Sequence, residues 1–239
     1  MKLQIIVLNT VKFRDSGLIL NGYSNLFGRQ GFIVYGGVRT KKNNTLSQLH
    51  PLSIIDAELS STKKSKLPVI KEFSASYNLI NIRTGIIKNS ISVFIGELIY
   101  KTLREIEPDR ELFSFLVNAI IRLEQEKNNV PDFHPRFIVN YCKHLGYLPE
   151  KNFTPSNNLF EIQSGGFSSP DKISGIFFSL GSSTILLKIL ETEEQISNPL
   201  LLSGESRFTF ISDMIRYIEY HQGVDIKIKS LKVLHEVFE

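Results

Sequence analysis

The sequence predicts an α+β chain in two domains: a small five-stranded barrel over residues 1–77, then an α-helical domain over 78–239 with a short irregular insert at 149–171. Three observations predict it. Period-two alternation of apolar and polar residues runs through the first seventy positions, the period lengthens to that of a helix from about Asn78, and the helical pattern breaks between Pro149 and Asp171. With 239 residues, 42% hydrophobic and 22% charged, the chain has the composition of a folded protein and the length for one or two domains, each burying its own core.

The alternating runs at 3–11, 17–23, 31–35, 52–59 and 66–73 are the strands, separated by the turn formers Asp15-Ser16-Gly17, Gly28, Gly36-Gly37 and Asn43-Asn44. Five short strands suit an OB-fold barrel, and periodicity alone describes an SH3-like barrel equally well. Ile91, Phe94, Ile95, Leu98, Ile99, Leu103 and Ile106 then form one helical stripe that stops at Pro108. A second helix starts after Asp109, a good N-cap, and carries Leu112, Phe113, Leu116, Ile120 and Leu123 as far as Asn128-Asn129. A third, opened by a turn at Pro135, carries Phe137, Ile138, Tyr141, Cys142 and Leu145, with Gly146 placed to end it. The turn formers Asn157-Asn158 and Gly165-Gly166 lead to the expectation of a short hairpin in the insert. Phe208, Ile211, Ile215 and Ile218 mark a helix ending near Gly223, and Leu231, Leu234 and Val237 a last one after Ser230.

Several classes of chemistry find no residues here. Cys142 is the single cysteine, so neither a disulfide nor a four-thiolate zinc site can form. His50, His134, His144, His221 and His235 lie at no metal-ligand spacing, and neither double glycine fits a phosphate-binding loop. No nucleophile or paired carboxylate stands out, so the expectation is no catalytic residue, no metal and no cofactor. The first twenty residues lack the apolar centre of a signal peptide, and the longest apolar stretch, 173–190, is broken by serines, glycines and Lys188. A cytoplasmic protein without a membrane contact is expected.

Charge is where the sequence speaks. Residues 1–72 hold eleven Lys/Arg against four acids, a balance of +7, while the rest of the chain is −3. Arg39, Lys41 and Lys42 fall in a glycine- and asparagine-rich run, Lys63, Lys64 and Lys66 form a second cluster, and Arg14 and Arg29 add to them. Cations on flexible turns reach phosphates without reading bases, which points to sequence-independent nucleic-acid binding at these eight positions. Phe27, Phe32 and Tyr35 could stack on bases or pack in the barrel core. A basic surface kept only for solubility is the plainer alternative.

The stretch Lys12-Phe13-Arg14-Asp15-Ser16-Gly17-Leu18-Ile19-Leu20, then Phe27-Gly28-Arg29-Gln30-Gly31-Phe32, Gly36-Gly37-Val38-Arg39 and Leu49-His50-Pro51-Leu52, resembles the bacterial RecO recombination-mediator family. So do Ile95-Gly96-Glu97-Leu98-Ile99-Tyr100, Phe133-His134-Pro135-Arg136-Phe137 and His144-Leu145-Gly146-Tyr147-Leu148-Pro149. The resemblance spans nearly the whole chain. It implies an OB-fold and a helical domain that bind single- and double-stranded DNA, anneal complementary strands and help load the RecA recombinase, without enzyme activity. It implies RecR, sometimes RecF, and the acidic C-terminal tail of the single-stranded-DNA-binding protein SSB as partners, with RecA met indirectly and the nucleoid as the place of action. For the SSB tail it points to Arg136 at the start of a helix, with Phe137, Lys143 and His144 on nearly the same side. An adaptor at SSB-coated DNA with little DNA binding of its own is the alternative. The chain departs from many members in one respect: 152–171 has none of the cysteines of their zinc module, so the insert must hold itself by packing.

Overall fold

The computed structural model describes residues 1–13, 17–40, 48–60, 65–103, 107–171, 175–192 and 199–239, with the backbone alone at 36–40. Five strands, β1 (Lys2–Phe13), β2 (Gly17–Ser24), β3 (Gly28–Thr40), β4 (Ile54–Leu59) and β5 (Val69–Ala75), close into a barrel in the order β1-β2-β3-β5-β4. Only β3 and β5 run parallel. This is the OB-fold, a barrel closed by the pairing of the first half of β1 with β4. Leu3, Ile5, Val7, Leu20, Phe32, Val34, Ile55, Ile70 and Phe73 fill it.

Two irregularities shape the barrel. β1 shifts register between Val7 and Asn9; its first half pairs with β4 through Lys2–Ile6, while 9–13 pair with β2 alone. Gly36-Gly37, expected as a turn, lies inside β3. Five steps along β3 from Val34 to Arg39 oppose two along β5 from Ile70 to Glu72, so the glycines sit in a wide bulge, a place where backbone without side chains is favoured.

Helices α1 (Ile80–Thr84), α2 (Ile86–Thr102) and α3 (Arg110–Gln125) join the barrel in one compact unit, Met1–Gln125. The expected stripe of α2 stops earlier than Pro108: Leu103 is extended, with ψ 107°, and Ile106 lies outside the described residues. Asp109 is the N-cap of α3, its Oδ1 accepting from the N–H groups of Glu111 (2.8 Å) and Leu112 (3.0 Å). Glu124, near the end of α3, accepts from the first N–H groups of α1, at Asn81 and Ile82, each at 2.9 Å. α2 lies against β1 so closely that a Cβ at Gly96 would fall 2.8 Å from the Leu8 carbonyl oxygen and 3.4 Å from Pro51 Cβ.

Glu126–Glu239 form the second unit: a 3-10 turn (Val130–Asp132), α4 (Phe133–His144), a hairpin of β6 (Leu159–Glu161) and β7 (Gly166–Ser168), α5 (Leu180–Glu191), α6 (Gly204–Gln222) and α7 (Ser230–Val237). α4 starts two residues before Pro135, which sits in its first turn, where a missing N–H costs nothing. α5 is a helix that the apolar periodicity did not single out, because Gly181, Ser182, Ser183 and Thr184 dilute its stripe; Ser179 caps it, accepting from Ser182 N–H at 3.0 Å. Gly223, at φ 63°, ends α6 as expected. The hairpin in the cysteine-free insert is held by Phe160, which packs on Phe167, Phe178 and Tyr217 with ring centroids 4.8–5.6 Å away. The buried Glu161 carboxylate crosslinks it, accepting from Ser164 and Ser168 hydroxyls at 2.9 Å each. Among the described residues no group of three or more His, Cys, Asp or Glu could hold a metal, and no helix is long and apolar enough to cross a membrane.

The contact at Gly96 sets a test of the barrel–helix packing. Gly96→Ala gains about 1 kcal/mol of helix propensity but drives a methyl into a backbone carbonyl, an overpacking that costs about 1–3 kcal/mol. Urea denaturation should show a lower midpoint for the variant; a raised midpoint would mean that α2 is free to retreat from β1.

Candidate nucleic-acid interface

Residues directly opposite in a β-ladder share a face. Asn9, Val11 and Phe13 of β1 face Asn21, Ile19 and Gly17 of β2, which in turn face Gly31, Ile33 and Tyr35 of β3. Core residues Leu20, Phe32 and Val34 alternate with this set, so the set is the outer face of the barrel. The same face continues to the pair Tyr23 and Arg29.

Its two ends have different fates. At one end the outer face is covered. Tyr23 Oη accepts from Asp109 N–H (3.0 Å) and donates to Asp109 O (3.3 Å), while Arg29 donates to Leu103 O (2.7 Å) with its guanidinium 4.6 Å above the Tyr100 ring. Arg29 is thus a cation at the C-terminal end of α2, where the helix dipole favours it, and not a side chain held out to a phosphate. In the middle, the end of the β4–β5 connection runs alongside β3 as it enters the β3–β5 ladder. Ile33 N–H donates to Pro68 O at 2.9 Å, and the Leu67 side chain lies over the bare Gly31. Lys66, next to it, is exposed.

At the other end the face is open. Thr10, Val11 and Lys12 are exposed in succession, so the β1–β2 arm extends past the closed part of the barrel. Gly17 pairs with both Phe13 and Tyr35, and the Phe13 ring lies over it, its Cδ1 3.6 Å from where a Cβ would stand. Val11 is 54% and Tyr35 41% exposed, and Ile19 and Phe13 are half-buried. Such a strip offers planar and aliphatic surface to unstacked bases. The strand ends bracketing 14–16 meet here, and β3 leaves Tyr35 from the same place towards Arg39.

Of the eight expected phosphate-binding cations, Arg14, Lys41, Lys42, Lys63 and Lys64 lie outside the described residues, as does the side chain of Arg39. The backbone of Arg39 is in β3, opposite Glu72 of β5, rather than in a free turn. Phe32 is in the core and Phe27 packs against it, leaving Tyr35 as the exposed member of that trio. Sequence reasoning passed over Phe13, Val11 and the linked pair Asn9 and Asn21 (2.7 Å), although their period-two spacing from Ile19 and Gly17 was there to be used. The barrel's described acids lie elsewhere: Asp56, Glu58 and Glu72 are on β4 and β5. A 3.0 Å hydrogen bond and the charge of Lys71 hold the Glu58 carboxyl below the usual range.

In the second unit, Arg136 is 6% exposed and donates to Thr192 Oγ1 at 2.8 Å; Phe137 is buried beside it. Lys143 is exposed and His144 half-buried in the last turn of α4. The four do not form one open surface, because the first two turns of α4 are buried all round. His134 in the first turn is buried with its ring stacked on Phe238 at 5.4 Å; burial, and then the Arg207 charge, hold its imidazole well below the ordinary value near 6.5.

Residues 1–78 match the family model described as recombination protein O N terminal, and 83–156 the one described as recombination protein O C terminal. Over the whole chain it is similar to curated proteins named DNA repair protein RecO. That of Azobacteroides pseudotrichonymphae is 27% identical over 238 residues, covering 100% of this chain and 99% of that protein. That of Flavobacterium psychrophilum is 27% identical over 238 residues, covering 99% and 98%, and that of Bacteroides fragilis 26% over 236, covering 98% and 97%.

Two outcomes follow from this geometry. Arg29→Ala should lower stability by about 1–2 kcal/mol, through the lost charged hydrogen bond and ring contact, while Lys66→Ala leaves it unchanged; chemical denaturation compares them, and equal stabilities would sink the clamp. Neutral buried His134 gives the opposite of acid tolerance. Its contribution is whole above pH 6.5, where the unfolded imidazole is also neutral, and is lost as pH falls from there towards the depressed native value, by up to about 1.4 kcal/mol per pH unit. Melting curves from pH 7.5 to 5.5 should be steeper in pH for the wild type than for His134→Gln; parallel curves would mean that His134 takes a proton in the folded chain.

Proposed function

Since the chain belongs to the RecO family of DNA repair and recombination proteins, we propose that it is a recombination mediator that holds DNA on the outer face of its barrel and catalyses nothing. On this reading it binds single- and double-stranded DNA without regard to sequence, anneals complementary strands and, with RecR, helps load RecA onto DNA coated by SSB, in the cytoplasm at the nucleoid. RecF is a further partner in some members of the family. The observation that carries the reading is the open strip of Val11, Phe13, Ile19 and Tyr35, set where the strands lead into the cationic segments around Arg14 and Arg39-Lys41-Lys42.

The division of labour follows from elementary physics. Cations neutralise phosphates and release counterions, which supplies affinity that is blind to sequence. Aromatic rings take the face of any base, which favours strands whose bases are already unstacked. A protein that lowers the charge of two complementary strands on one surface removes the repulsion that slows their pairing, and needs no chemical step to do so. The SSB tail, acidic and apolar, is proposed to meet the exposed end of α4 at Lys143 and His144 rather than the buried Arg136.

Binding to unstructured single-stranded DNA should weaken with salt at a slope of roughly −3 to −4 in log K against log salt, as expected for about four to six phosphates. Changing Arg39, Lys41 and Lys42 together to Ala should flatten that slope by about two units and slow strand annealing, measured by fluorescence with and without SSB. A flat salt response in the wild type would favour the adaptor reading.

A further inference from the structure

The barrel is closed along only part of β1. Among the described residues β4 accompanies the strand as far as Ile6, and the turn at 50–53 takes up Val7 through hydrogen bonds to Leu52 and Ser53. Beyond Leu8, whose carbonyl oxygen lies close to Gly96 of α2, the residues Thr10, Val11 and Lys12 are exposed in succession. None of the three has a backbone hydrogen bond outside the ladder to β2 among the described residues. An antiparallel ladder engages the N–H and C=O groups of alternate residues, so the groups of the others point outwards as an open edge. Such edges are commonly blunted by proline or by several charges. Here there is no proline, Thr10 and Val11 are strand formers, and Lys12 is the one charge between Asn9 and Phe13.

A second copy of the chain matches this edge. Identical antiparallel strands meet about a two-fold axis, and an axis through Val11 sets that residue, 54% exposed, against its own copy and Lys12 against Thr10. An axis through Lys12 would oppose like charges directly, which destabilises a pair. The axis at Val11 also extends the outer barrel face, because Ile19 and Val11 of one copy lead across the edge to Val11 and Ile19 of the other, and the two open strips become one surface. A two-fold axis normal to that surface reverses the direction of whatever lies on the second strip. Complementary DNA strands pair antiparallel. We propose that two copies of this chain join edge to edge through β1, antiparallel about Val11, when DNA brings them together, so that their bound strands lie side by side in the sense that annealing requires. The proposal rests on the reading that the barrel binds DNA. So short an edge falls short of the roughly 1,200 Å2 that stable complexes bury, and the two Lys12 residues, diagonal neighbours about 7–8 Å apart, repel; free copies therefore stay separate. Phosphates relieve that repulsion, and a strand that holds two copies raises their effective concentration. DNA binding and pairing then strengthen each other by the same factor.

The test uses the full chain carrying Thr10→Cys, Val11→Cys or Lys12→Cys; Cys142 is buried and takes no part. Directly opposed residues of two strands stand about 4.5–5.5 Å apart at Cα, within reach of a disulfide. With dT40 present and mild oxidation by diamide, Val11→Cys should form a disulfide-linked dimer about tenfold faster than without DNA. Thr10→Cys alone and Lys12→Cys alone should not, whereas the two mixed should link to each other. The wild type should also bring donor- and acceptor-labelled dT12, which cannot pair with one another, within energy-transfer distance at equimolar protein. Linkage of Lys12→Cys to itself, or equal yields from all three positions, would overturn the register and with it the antiparallel alignment. Bound oligonucleotide with neither cross-link nor energy transfer would overturn the pairing and leave the DNA reading standing. If the wild type binds no oligonucleotide, the DNA reading falls and takes this pairing on DNA with it.

Discussion

The approach of α2 to β1 at Gly96 is the constraint from which the rest of the first unit follows. Helix and strand meet backbone to backbone, since only hydrogen at that Cα leaves room for the Leu8 carbonyl. With the helix axis fixed at that depth, its C-terminal end comes within reach of Arg29, and the start of α3 within reach of Tyr23. The two contacts are made by neighbouring residues of one cross-strand pair, so the helices cover one end of the outer barrel face and stop there. What stays open, the strip of Val11, Ile19 and Tyr35 beyond the place where Leu67 lies over Gly31, is at the end that the helices do not reach.

The sequence carried the barrel because half-buried strands write their geometry as alternation, and it carried the helix ends where a single residue does the work, as at Asp109 and Gly223. It misled where a residue type has two uses. Gly36-Gly37 reads as a turn, yet the same freedom serves a bulge inside a long strand. Arg29 counts as one more cation, and nothing local shows that its guanidinium is spent on a helix end 74 residues away. Arg136 is the clearest case: seven- and eight-residue spacings place Lys143 and His144 on its side of α4, but burial is set by what surrounds a helix, and only its last turn reaches the surface. Phe13 was missed because its partner row lies on two other strands.

The insert is a small hairpin held by ring packing and by one buried carboxylate. A zinc site fixes a loop by four directed bonds; here Phe160 supplies contact area on three sides and Glu161 supplies direction, two hydroxyls converging on one carboxylate oxygen.

The placement of Asp56, Glu58 and Glu72 on β4 and β5, away from the open strip, has a kinetic side. An uneven distribution of charge over a barrel has a dipole moment in addition to its net charge. In the field of a polyanion such a body feels a torque as well as a pull, and both act out to about a Debye length, roughly 10 Å at 0.1 M salt. A barrel that binds DNA in the proposed way turns before it touches. On the proposed DNA reading, rotational search, which ordinarily discards most collisions between a small site and its target, is largely completed during approach, and adding salt costs such a protein its aim as well as its grip.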